Sequence, residues 1–345
     1  MVSLVLSGSG ETPGGYSAAA AAFCAFMWLC PLVAFAALLQ IVSLCGAFKA
    51  ISFPQLSSRL HRKLDLARMS SPDVEGSIWE GPPLGPSETL AGISSAVRKA
   101  GDAALALQRD GLSRKVKAGH HDIVTEGDIA SQRIAMEGLA RVLPGLPFLA
   151  EEPDEQALVP GVPLVRVDGE EVIHAEAYLA LDPVDGTTNF ACGGPDWGVA
   201  AAVVRQGSGP THGVIYLPRK GLMVEAGRGY GCRVNGYLVR LREEQRMQES
   251  LVAAEIGAFV PDDRLQRLMK LVHHSMGIRN LFSSTGNTAD VLSGVHGAWV
   301  HLKGGAVWDF AAGALAVEEA GGFACDLQGE PLRWDKLHME VTRLQ

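Results

Sequence analysis

The segment that most limits how this chain can fold is the nine-residue run DPVDGTTNF at positions 182–190. An apolar run, AYLAL, comes directly before it and predicts a buried strand. Because Pro183 cannot donate a hydrogen bond to a neighbouring strand, we expect the strand to end at that residue. Asp182 and Asp185 would then lie where the chain leaves the sheet, and hard cations such as Mg²⁺ prefer carboxylate oxygens arranged in this way.

The second half of this run predicts an anion site. Gly186, Thr187 and Thr188 suit a tight turn into the start of a helix, where free backbone N–H groups can hold a phosphate. Carboxylates for a metal beside amides for an anion indicate phosphoryl-ester chemistry. A surface turn is the alternative interpretation, because Asp, Pro and Gly are ordinary turn residues, and this run alone does not decide between the two.

Three other acidic segments favour the functional interpretation. The run FLAEE at positions 148–152 places paired acids at the end of an apolar stretch. The run IVTEGD at positions 123–128 ends in Asp128, which begins an amphipathic segment. The run VWDFAAGALAVEEAGG at positions 307–322 places Asp309 at the start of an alanine-rich stretch that favours a helix.

In their order and separations, these four segments resemble the inositol monophosphatase family, and the resemblance runs from about residue 87 to about residue 327. It implies an α+β fold, a five-layer α/β/α/β/α sandwich of the inositol monophosphatase type, preceded here by an apolar N-terminal segment. Sequence patterning alone supports only a mixture of α and β elements. The resemblance also implies a Mg²⁺-dependent phosphoric monoester hydrolase that uses two metal ions to activate water.

The resemblance further implies roles for individual residues. The implied metal ligands are Glu151, Asp182, the backbone carbonyl of Val184, Asp185 and Asp309. Asp182 would be shared between two Mg²⁺ ions, and the crowding of these carboxylates is itself a reason to expect bound cations. Thr187 and Asp128 match the pair that orients and deprotonates the attacking water. Lys117 matches a family lysine near the metals, with a solvated loop lysine as the alternative.

The implied substrate contacts lie in two segments. The backbone amides of Gly186 and Thr187, with Thr188, match the phosphate-binding residues of the family. Ser284 and Thr285 match a loop that contacts substrate hydroxyls. The implied substrate is an inositol monophosphate, with a sugar phosphate, histidinol phosphate or a 3′-phosphoadenosine nucleotide as alternatives.

Two short runs bear on the choice of substrate. The run TTNF at positions 187–190 matches the inositol monophosphatase version of the motif, whereas nucleotide-directed relatives resemble DGTKEF at this point. Family members also often carry a hydroxyl-binding Glu before the final metal ligand. Residues 301–303 here read His-Leu-Lys, with no acid in register, which leaves the identity of the substrate open.

Charge and cysteine content narrow the expected partners. The formal net charge is −8 and the sequence pI is near 5.7, which argues against a nucleic-acid-binding protein, since such proteins usually carry a basic face. The six cysteines form no CxxC pair, so neither a disulfide framework nor a zinc site is expected, and a reducing compartment fits. The expected partners are a small phosphorylated substrate and a second copy of the chain in a homodimer. No nucleic-acid partner is expected.

The N-terminal segment has a composition unlike the rest of the chain. Positions 12–48 contain no charged residue, and positions 18–44 are almost wholly apolar, which is long enough to span a bilayer. The basic residues Lys49, Arg59, Arg62 and Lys63 follow, so a membrane anchor would leave the catalytic domain on the cytoplasmic side. A cleaved organelle-targeting segment is the main alternative, because no acid occurs before Asp65 once Glu11 is passed.

This composition predicts three regions in the chain. They are an anchor or targeting segment at 1–68, a Ser-, Pro- and Gly-rich linker at 69–86, and an inositol monophosphatase-like catalytic domain at 87–345. A start-site error, with the native protein beginning near Met69, is a third interpretation of the N-terminus. A membrane-tethered binding protein without catalysis is the alternative function from a different class, although all the matched carboxylates are present.

Local patterns predict several elements inside the catalytic region. Helices are expected at 87–108 with Ser87 as N-cap, at 128–143, at 261–276, at 285–296 and at 309–320. The pair Asn235-Gly236 predicts a hairpin turn. Few residues follow Trp334, where the family usually adds a last strand and helix, so a truncated sheet edge is expected.

Overall fold

The computed structural model describes residues 86–110, 114–116, 123–242, 246–257, 260 and 262–344. The predicted anchor or targeting segment, residues 69–85 of the predicted linker and Lys117 lie outside these residues. Within the described ranges, no helix is long and apolar enough to cross a membrane. The extents predicted for the three regions therefore stay predictions.

In the described residues, most helices are separated by one or more strands. The helices are α1 (Pro86–Asp110), α2 (Glu126–Val142), α3 (Thr187–Ala191), α4 (Asp262–His274), α5 (Ser284–Leu292) and α6 (Val307–Glu319), with a 3₁₀ turn at Met247–Glu249. The strands are β1 (Arg114–Val116), β2 (Ile123–Thr125), β3 (Phe148–Ala150), β4 (Arg166–Val167), β5 (Ile173–His174), β6 (Ala177–Asp185), β7 (Gly198–Arg205), β8 (Gly209–Leu217), β9 (Leu222–Gly227), β10 (Gly231–Val234), β11 (Tyr237–Val239), β12 (Leu251–Glu255), β13 (Gly277–Arg279), β14 (His296–Ala306), β15 (Phe323–Cys325) and β16 (His338–Leu344).

The larger sheet has seven strands in the order β11-β10-β9-β8-β7-β6-β3. Its neighbouring strands are antiparallel except for β3 and β6, which run parallel. Leu179 and Leu181 of β6 pack in the cluster that contains α1 and α2, whereas Tyr178 and Ala180 pack in the cluster that contains α5 and α6. The side chains of a strand alternate between its faces, so a strand covered on both faces reads as the continuous apolar run seen in the sequence.

The elements stack in five layers. Helices α1 and α2 cover one face of the larger sheet, and α5 and α6 lie between that sheet and a second sheet with the strand order β13-β12-β14-β16-β15. Trp299 of β14 packs against Phe310 of α6 with ring centroids 6.0 Å apart, which joins the second sheet to the middle layer. On the other face of that sheet, Leu268 of α4 packs in a cluster with Ala254 and Val300. This α/β/α/β/α order confirms the predicted fold class.

The predicted end of the strand before the acidic run was wrong. Strand β6 continues through Pro183 to Asp185. Asp182 pairs with Ala200 and Asp185 pairs with Gly198, so the ladder with β7 shifts register between them and β6 carries a bulge. A bulge is a position where proline is tolerated inside a sheet, because the ladder is already interrupted there.

Helix boundaries also differ from the predictions, by as much as four residues at one end. Helix α1 begins at Pro86, so Ser87 lies inside its first turn and is not the N-cap. Helix α2 begins at Glu126 rather than Asp128, because the side chain of Thr125 accepts a hydrogen bond from Gly127 N and caps it. Helix α5 ends at Leu292, well before residue 296, because the chain turns through a glycine with φ of 74° at position 294.

Two turn-related predictions have opposite outcomes. The hairpin is confirmed, since β10 and β11 are antiparallel and are joined by Asn235 and Gly236, whose φ angles of 49° and 83° suit a two-residue turn. The prediction of a truncated sheet edge was wrong. Strand β16 pairs with both β14 and β15, so the last strand lies inside the second sheet.

Candidate active site

Asp182 lies at the bulge of β6 and is almost fully buried, with 1% of its surface exposed. Its Oδ1 accepts a 3.1 Å hydrogen bond from Val184 N, which holds the carboxylate against its own strand. Burial raises the pKa of Asp182 well above its usual value, and the negative charges of Glu151, Asp185 and Asp309 raise this pKa further. A carboxylate in these surroundings needs a positive partner to stay ionised near neutral pH.

The acids around Asp182 form a candidate metal centre. One carboxylate oxygen each from Asp182, Asp185 and Asp309 lie within 4.8 Å of one another. Glu151, the residue after β3, adds a hydrogen bond and a negative charge to Asp182. Four acids this close repel one another, and a set of carboxylate oxygens is the donor set that Mg²⁺ prefers. The residues therefore fit a divalent cation, and the structure brings together the carboxylates that the sequence predicted as ligands.

Asp185 is held by the start of α5. Its Oδ2 accepts hydrogen bonds from Ser283 Oγ at 2.6 Å, Thr285 Oγ1 at 2.6 Å and Thr285 N at 2.7 Å, and its Oδ1 accepts one from Ser284 N at 2.9 Å. The backbone N–H groups of a helix start have no acceptor within the helix, so a carboxylate is favourable there. This contact fixes the orientation of Asp185 before any cation binds.

Asp309 is oriented from the first turn of α6. Its Oδ2 accepts a 2.8 Å hydrogen bond from Ala306 N, which closes the turn into the helix. The carboxylate packs directly against the backbone of Gly305, where a Cβ atom would collide with Asp309 Oδ2 and with the ring of Phe310. Glycine at position 305 is therefore required by the placement of this acid.

The pair predicted to activate water is in contact. Thr187 Oγ1 lies 3.2 Å from Asp128 Oδ1 and 3.0 Å from Val184 O. Asp128 is fully buried, and its Oδ2 accepts hydrogen bonds from Thr125 N at 2.8 Å and Thr125 Oγ1 at 2.6 Å. Because the capping box of α2 occupies Oδ2, the other carboxylate oxygen, Oδ1, is the one that faces the Thr187 hydroxyl.

Helix α2 also positions the two strands that carry the acids. Ser131 Oγ donates a 2.6 Å hydrogen bond to Pro183 O in the bulge of β6. Gln132 donates from Nε2 to Glu152 O at 2.6 Å and accepts from Glu152 N at 2.9 Å, which clamps the backbone just after β3. Both side chains are fully buried, so one helix sets the separation between Glu151 and the bulge.

The predicted phosphate-binding turn lies beside these acids. Gly186 has a φ of 84°, a left-handed conformation that glycine adopts freely. A Cβ atom at Gly186 would lie 2.8 Å from Asp196 O and 3.1 Å from Ser283 Cβ, so the turn also has no space for a larger residue. Thr187 and Thr188 follow in the first turn of α3, where backbone N–H groups have no partner within the helix.

Sequence reasoning missed three residues that organise the site. Thr125 caps α2 and orients Asp128, and Ser283 caps α5 and orients Asp185. Asn189 Nδ2 donates to Asp196 O at 2.8 Å and to Leu281 O at 2.6 Å, which joins the end of the DPVDGTTNF run to the loop before α5. A hydroxyl residue before a helical pattern is an N-cap signal that could have identified the two caps, whereas nothing local indicates the partners of Asn189.

Glu255, at the end of β12, lies beside His301, in the segment 301–303 where the sequence lacks the expected hydroxyl-binding Glu. His301 Nε2 of β14 lies 3.3 Å from Glu255 Oε2, at the end of β12. Both residues are largely buried, and the His301 ring packs edge-on against Phe310 with centroids 5.2 Å apart. The polar pair therefore packs against Phe310, the residue that follows the candidate metal ligand Asp309 in the sequence.

The predicted substrate loop is placed near the site but is largely buried. Ser284 and Thr285 are 3% and 1% exposed, and their N–H groups donate to Asp185. Direct contact of these residues with a substrate stays a prediction. Lys117, the remaining candidate, lies outside the described residues.

Comparison with known proteins gives consistent matches over this region. The model of the inositol monophosphatase family matches residues 86–343. An inositol-1-monophosphatase of Mesorhizobium japonicum is 31% identical over 215 residues, which is 61% of this chain and 74% of that protein. Inositol monophosphatase 2 of Solanum lycopersicum is 30% identical over 241 residues, 68% of this chain and 85% of that protein. The crystal structure of extragenic suppressor protein suhB from Bartonella henselae matches with a TM-score of 0.62 at 26% identity, over 73% of this chain and 92% of that one.

The five-layer fold and the buried carboxylate centre define a phosphoric monoester hydrolase. The chain belongs to the inositol monophosphatase family, whose members are Mg²⁺-dependent. The resemblance inferred from the four acidic segments is thereby confirmed.

Proposed function

We propose that this chain hydrolyses an inositol monophosphate to inositol and phosphate with Mg²⁺ as cofactor. The observation that supports this proposal is the burial of Asp182 among Glu151, Asp185 and Asp309, next to the contact between Thr187 and Asp128. An acid cluster that raises the pKa of its own central member is unfavourable unless cations neutralise it. A hydroxyl paired with a buried acid can accept the proton of an attacking water.

The proposed metal ligands divide into two sets. Glu151, Asp182 and the carbonyl oxygen of Val184 form the first set, and Asp182, Asp185 and Asp309 form the second. When bound, Mg²⁺ would lower the pKa of a coordinated water and neutralise the phosphate. Asp182 belongs to both proposed sets, and its hydrogen bond with Glu151 together with its approach to Asp185 and Asp309 supports this assignment.

Thr187 and Asp128 are proposed to take the proton of the attacking water. The Thr187 hydroxyl would donate to Asp128 Oδ1 while its own oxygen accepts from the water. As the water oxygen bonds to phosphorus and the ester P–O bond breaks, the proton of the water would pass to Thr187 Oγ1, and the hydroxyl proton of Thr187 would pass to Asp128 Oδ1. The departing inositol alkoxide would take a proton from solvent water. The backbone N–H and the side-chain O–H of Thr125 already donate hydrogen bonds to Asp128 Oδ2. Asp128 Oδ1 is therefore the acceptor in this relay.

The substrate would be oriented from two sides. The amides of Gly186 and Thr187, with Thr188, would hold the phosphate at the start of α3, and Ser284 and Thr285 would contribute from the start of α5. Glu255 and His301 would contact hydroxyls of a polyol leaving group, because a carboxylate and an imidazole together can accept from and donate to hydroxyls. A sugar phosphate, histidinol phosphate or a 3′-phosphoadenosine nucleotide remain the alternative substrates.

A phosphatase panel tests this proposal. The full chain with Mg²⁺ would be assayed for phosphate release from myo-inositol 1-phosphate, a hexose phosphate, histidinol phosphate and a 3′-phosphoadenosine nucleotide. We expect the highest kcat/KM with the inositol ester, loss of all turnover after chelation, and inhibition by Ca²⁺, which prefers longer bonds and more ligands than Mg²⁺. The family resemblance also implies inhibition by Li⁺.

The outcomes of this panel separate the candidate functions. A higher kcat/KM with one of the other esters would move the assignment to that substrate. Full turnover after exhaustive chelation would contradict the metal centre. Binding of the inositol ester without hydrolysis of any substrate would favour a catalytically inactive binding protein.

The N-terminal segment and the assembly are further parts of the proposal. We propose that residues 18–44 anchor the chain in a membrane with the catalytic domain on the cytoplasmic side, with a cleaved organelle-targeting segment as the alternative. We also propose a homodimer. Membrane flotation and sedimentation of the full chain would test the two statements.

A further inference from the structure

Phe282 has a backbone conformation that its side chain disfavours. Its φ angle is 51°, in the left-handed region where a bulky residue is an outlier. Glu171 and Asn235 are the other non-glycine residues with positive φ in the described part of the chain, and each lies in a turn between two strands. Phe282 is the apolar member of this group, so the surroundings rather than its own preference impose the conformation.

The contacts of the neighbouring residues show what imposes it. Asn189 Nδ2 donates to Leu281 O at 2.6 Å and to Phe282 O at 3.3 Å. On the other side of Phe282, the Ser283 hydroxyl is bound to Asp185 at 2.6 Å. The loop is therefore fixed at one end by α3 and at the other by the candidate metal centre. A strained conformation persists only where surrounding contacts over-determine it, and such positions cluster at ligand-binding sites.

The side chain of Phe282 has a second unfavourable feature. It is 45% exposed, although it is a large apolar ring. Its carbonyl oxygen lies 3.2 Å from the position that a Cβ atom on Gly186 would take, so the residue is next to the turn that leads into α3. The exposure of this ring becomes favourable if a ligand covers it, because aromatic rings provide a large apolar contact area, and the contacts that impose the strained φ keep the ring beside the site.

We propose that Phe282 is a specificity-determining residue that forms an apolar wall on the leaving-group side of the active site. It selects phosphate monoesters whose alcohol presents the C–H face of a ring, such as a cyclitol. This role rests on the proposed function. Phe282 would recognise the apolar ring face of the substrate, which the polar groups of the site do not contact. The phosphate is held at the start of α3, hydroxyls face the polar residues, and the apolar ring face packs on Phe282.

Substitution of Phe282 tests the wall directly in the full chain. Phe282→Gly removes the ring, and glycine adopts the observed φ without strain, so folding is retained. The KM for myo-inositol 1-phosphate should rise about tenfold, which corresponds to the loss of a partly buried ring contact, with kcat changed less than about twofold. The KM for the acyclic ester glycerol 2-phosphate should stay unchanged. Phe282→Tyr keeps the ring and should behave like the wild type.

A matched control places glycine at another residue that has a positive φ. Glu171→Gly relieves the same kind of backbone strain in the exposed turn between β4 and β5, and it should leave both KM values unchanged. An equal rise in KM for both esters, or a loss of kcat with both, would show that Phe282 only supports the loop and would overturn the inference. No change with either ester would also overturn it.

The same variants separate this inference from the proposed function. If the wild type hydrolyses no ester in the panel, the proposed function fails. The wall is then tested by calorimetric titration of myo-inositol 1-phosphate in the presence of Ca²⁺. About tenfold weaker binding by Phe282→Gly, with wild-type binding by Glu171→Gly, would support the wall, and equal affinities would overturn it.

Discussion

Ser283 Oγ donates a 2.6 Å hydrogen bond to Asp185 Oδ2 across 98 residues of sequence. The same oxygen accepts a 2.9 Å hydrogen bond from Gly286 N, as the N-cap of α5. One hydroxyl therefore both starts a helix of the middle layer and orients an acid of the candidate metal centre. Asp185 in turn accepts from the first N–H groups of that helix, so the helix and the carboxylate stabilise each other.

Ser283→Ala should weaken both the fold and the site. The variant loses an N-cap and leaves a buried carboxylate with one donor fewer, so the free energy of unfolding should fall by about 1–2 kcal/mol. The kcat should fall as well, because Asp185 loses part of its orientation. Urea denaturation and steady-state kinetics would measure the two effects.

Ser293→Ala is the matched control for this prediction. Ser293 Oγ donates to Ala289 O at the opposite end of the same helix, away from the acids. Its loss should leave kcat unchanged. A normal kcat in a destabilised Ser283→Ala protein would show that Ser283 acts as a helix cap alone.

Asp182→Asn should abolish most of the activity, because Asp182 is the side chain proposed to belong to both metal sets. The amide keeps the shape but removes a negative charge and a strong oxygen ligand. If the cations supply several kcal/mol of transition-state stabilisation, kcat should fall on the order of 10³-fold or more. Asp262→Asn, in the exposed first turn of α4, should retain wild-type kcat. Near-native turnover by a folded Asp182→Asn enzyme would contradict the shared-ligand assignment.

The stability of the metal-free protein should depend on pH through Asp182. Burial and the neighbouring negative charges raise its pKa in the folded state above the usual 3.8, so the folded state holds a proton that the unfolded state has released. This contribution is fully present below 3.8 and is lost as the pH rises through the raised pKa. The Tm of the chelated protein should therefore fall as the pH rises through this window, and Mg²⁺ should oppose the fall.

Asp182→Asn provides the control for the pH dependence. The amide does not titrate, so the chelated variant should show a smaller change of Tm over the same pH range than the wild type. Thermal denaturation from pH 4 upward would compare the two proteins. Parallel curves would show that other acids cause the dependence.

Thr187→Ala should slow the chemical step more than it weakens binding. The variant loses the hydroxyl that contacts Asp128 Oδ1 but keeps the backbone amides of the turn. A fall in kcat with little change in KM is expected, since an interaction made only in the transition state is removed. Ser208→Ala, which removes a hydroxyl from the exposed turn between β7 and β8, should retain kcat. A change confined to KM would instead make Thr187 a substrate contact.

Deletion of residues 1–68 should leave an active enzyme. Every proposed metal ligand and catalytic group lies between Asp128 and Asp309, inside the region matched by the family model. The truncated and full chains should therefore have similar kcat/KM in solution. Sedimentation with membranes by the full chain alone would support an anchor, whereas a mature N-terminus after about residue 48 in an organelle would support cleavage.

The sequence predicted the class of enzyme and the acids that meet at the candidate site because the relevant signals are local. The apolar run before Asp182, the turn residues after Asp185 and the alanine-rich stretch after Asp309 each report their own surroundings. The period of the apolar residues also predicted most of the elements. Where these predictions were wrong, pairing with β7 carried β6 past Pro183, and the Thr125 cap moved the start of α2 from Asp128 to Glu126.

The sequence by itself determined which acids are available and where glycine and hydroxyl residues stand around them. Tertiary structure alone decided which of these groups touch: Ser283 with Asp185, Glu255 with His301, and Asn189 with the loop that holds Phe282. Such contacts join elements far apart in the chain, and no local pattern encodes the packing of five layers that brings them together. The strain at Phe282 has the same origin, since its own residue type disfavours the conformation that its neighbours impose.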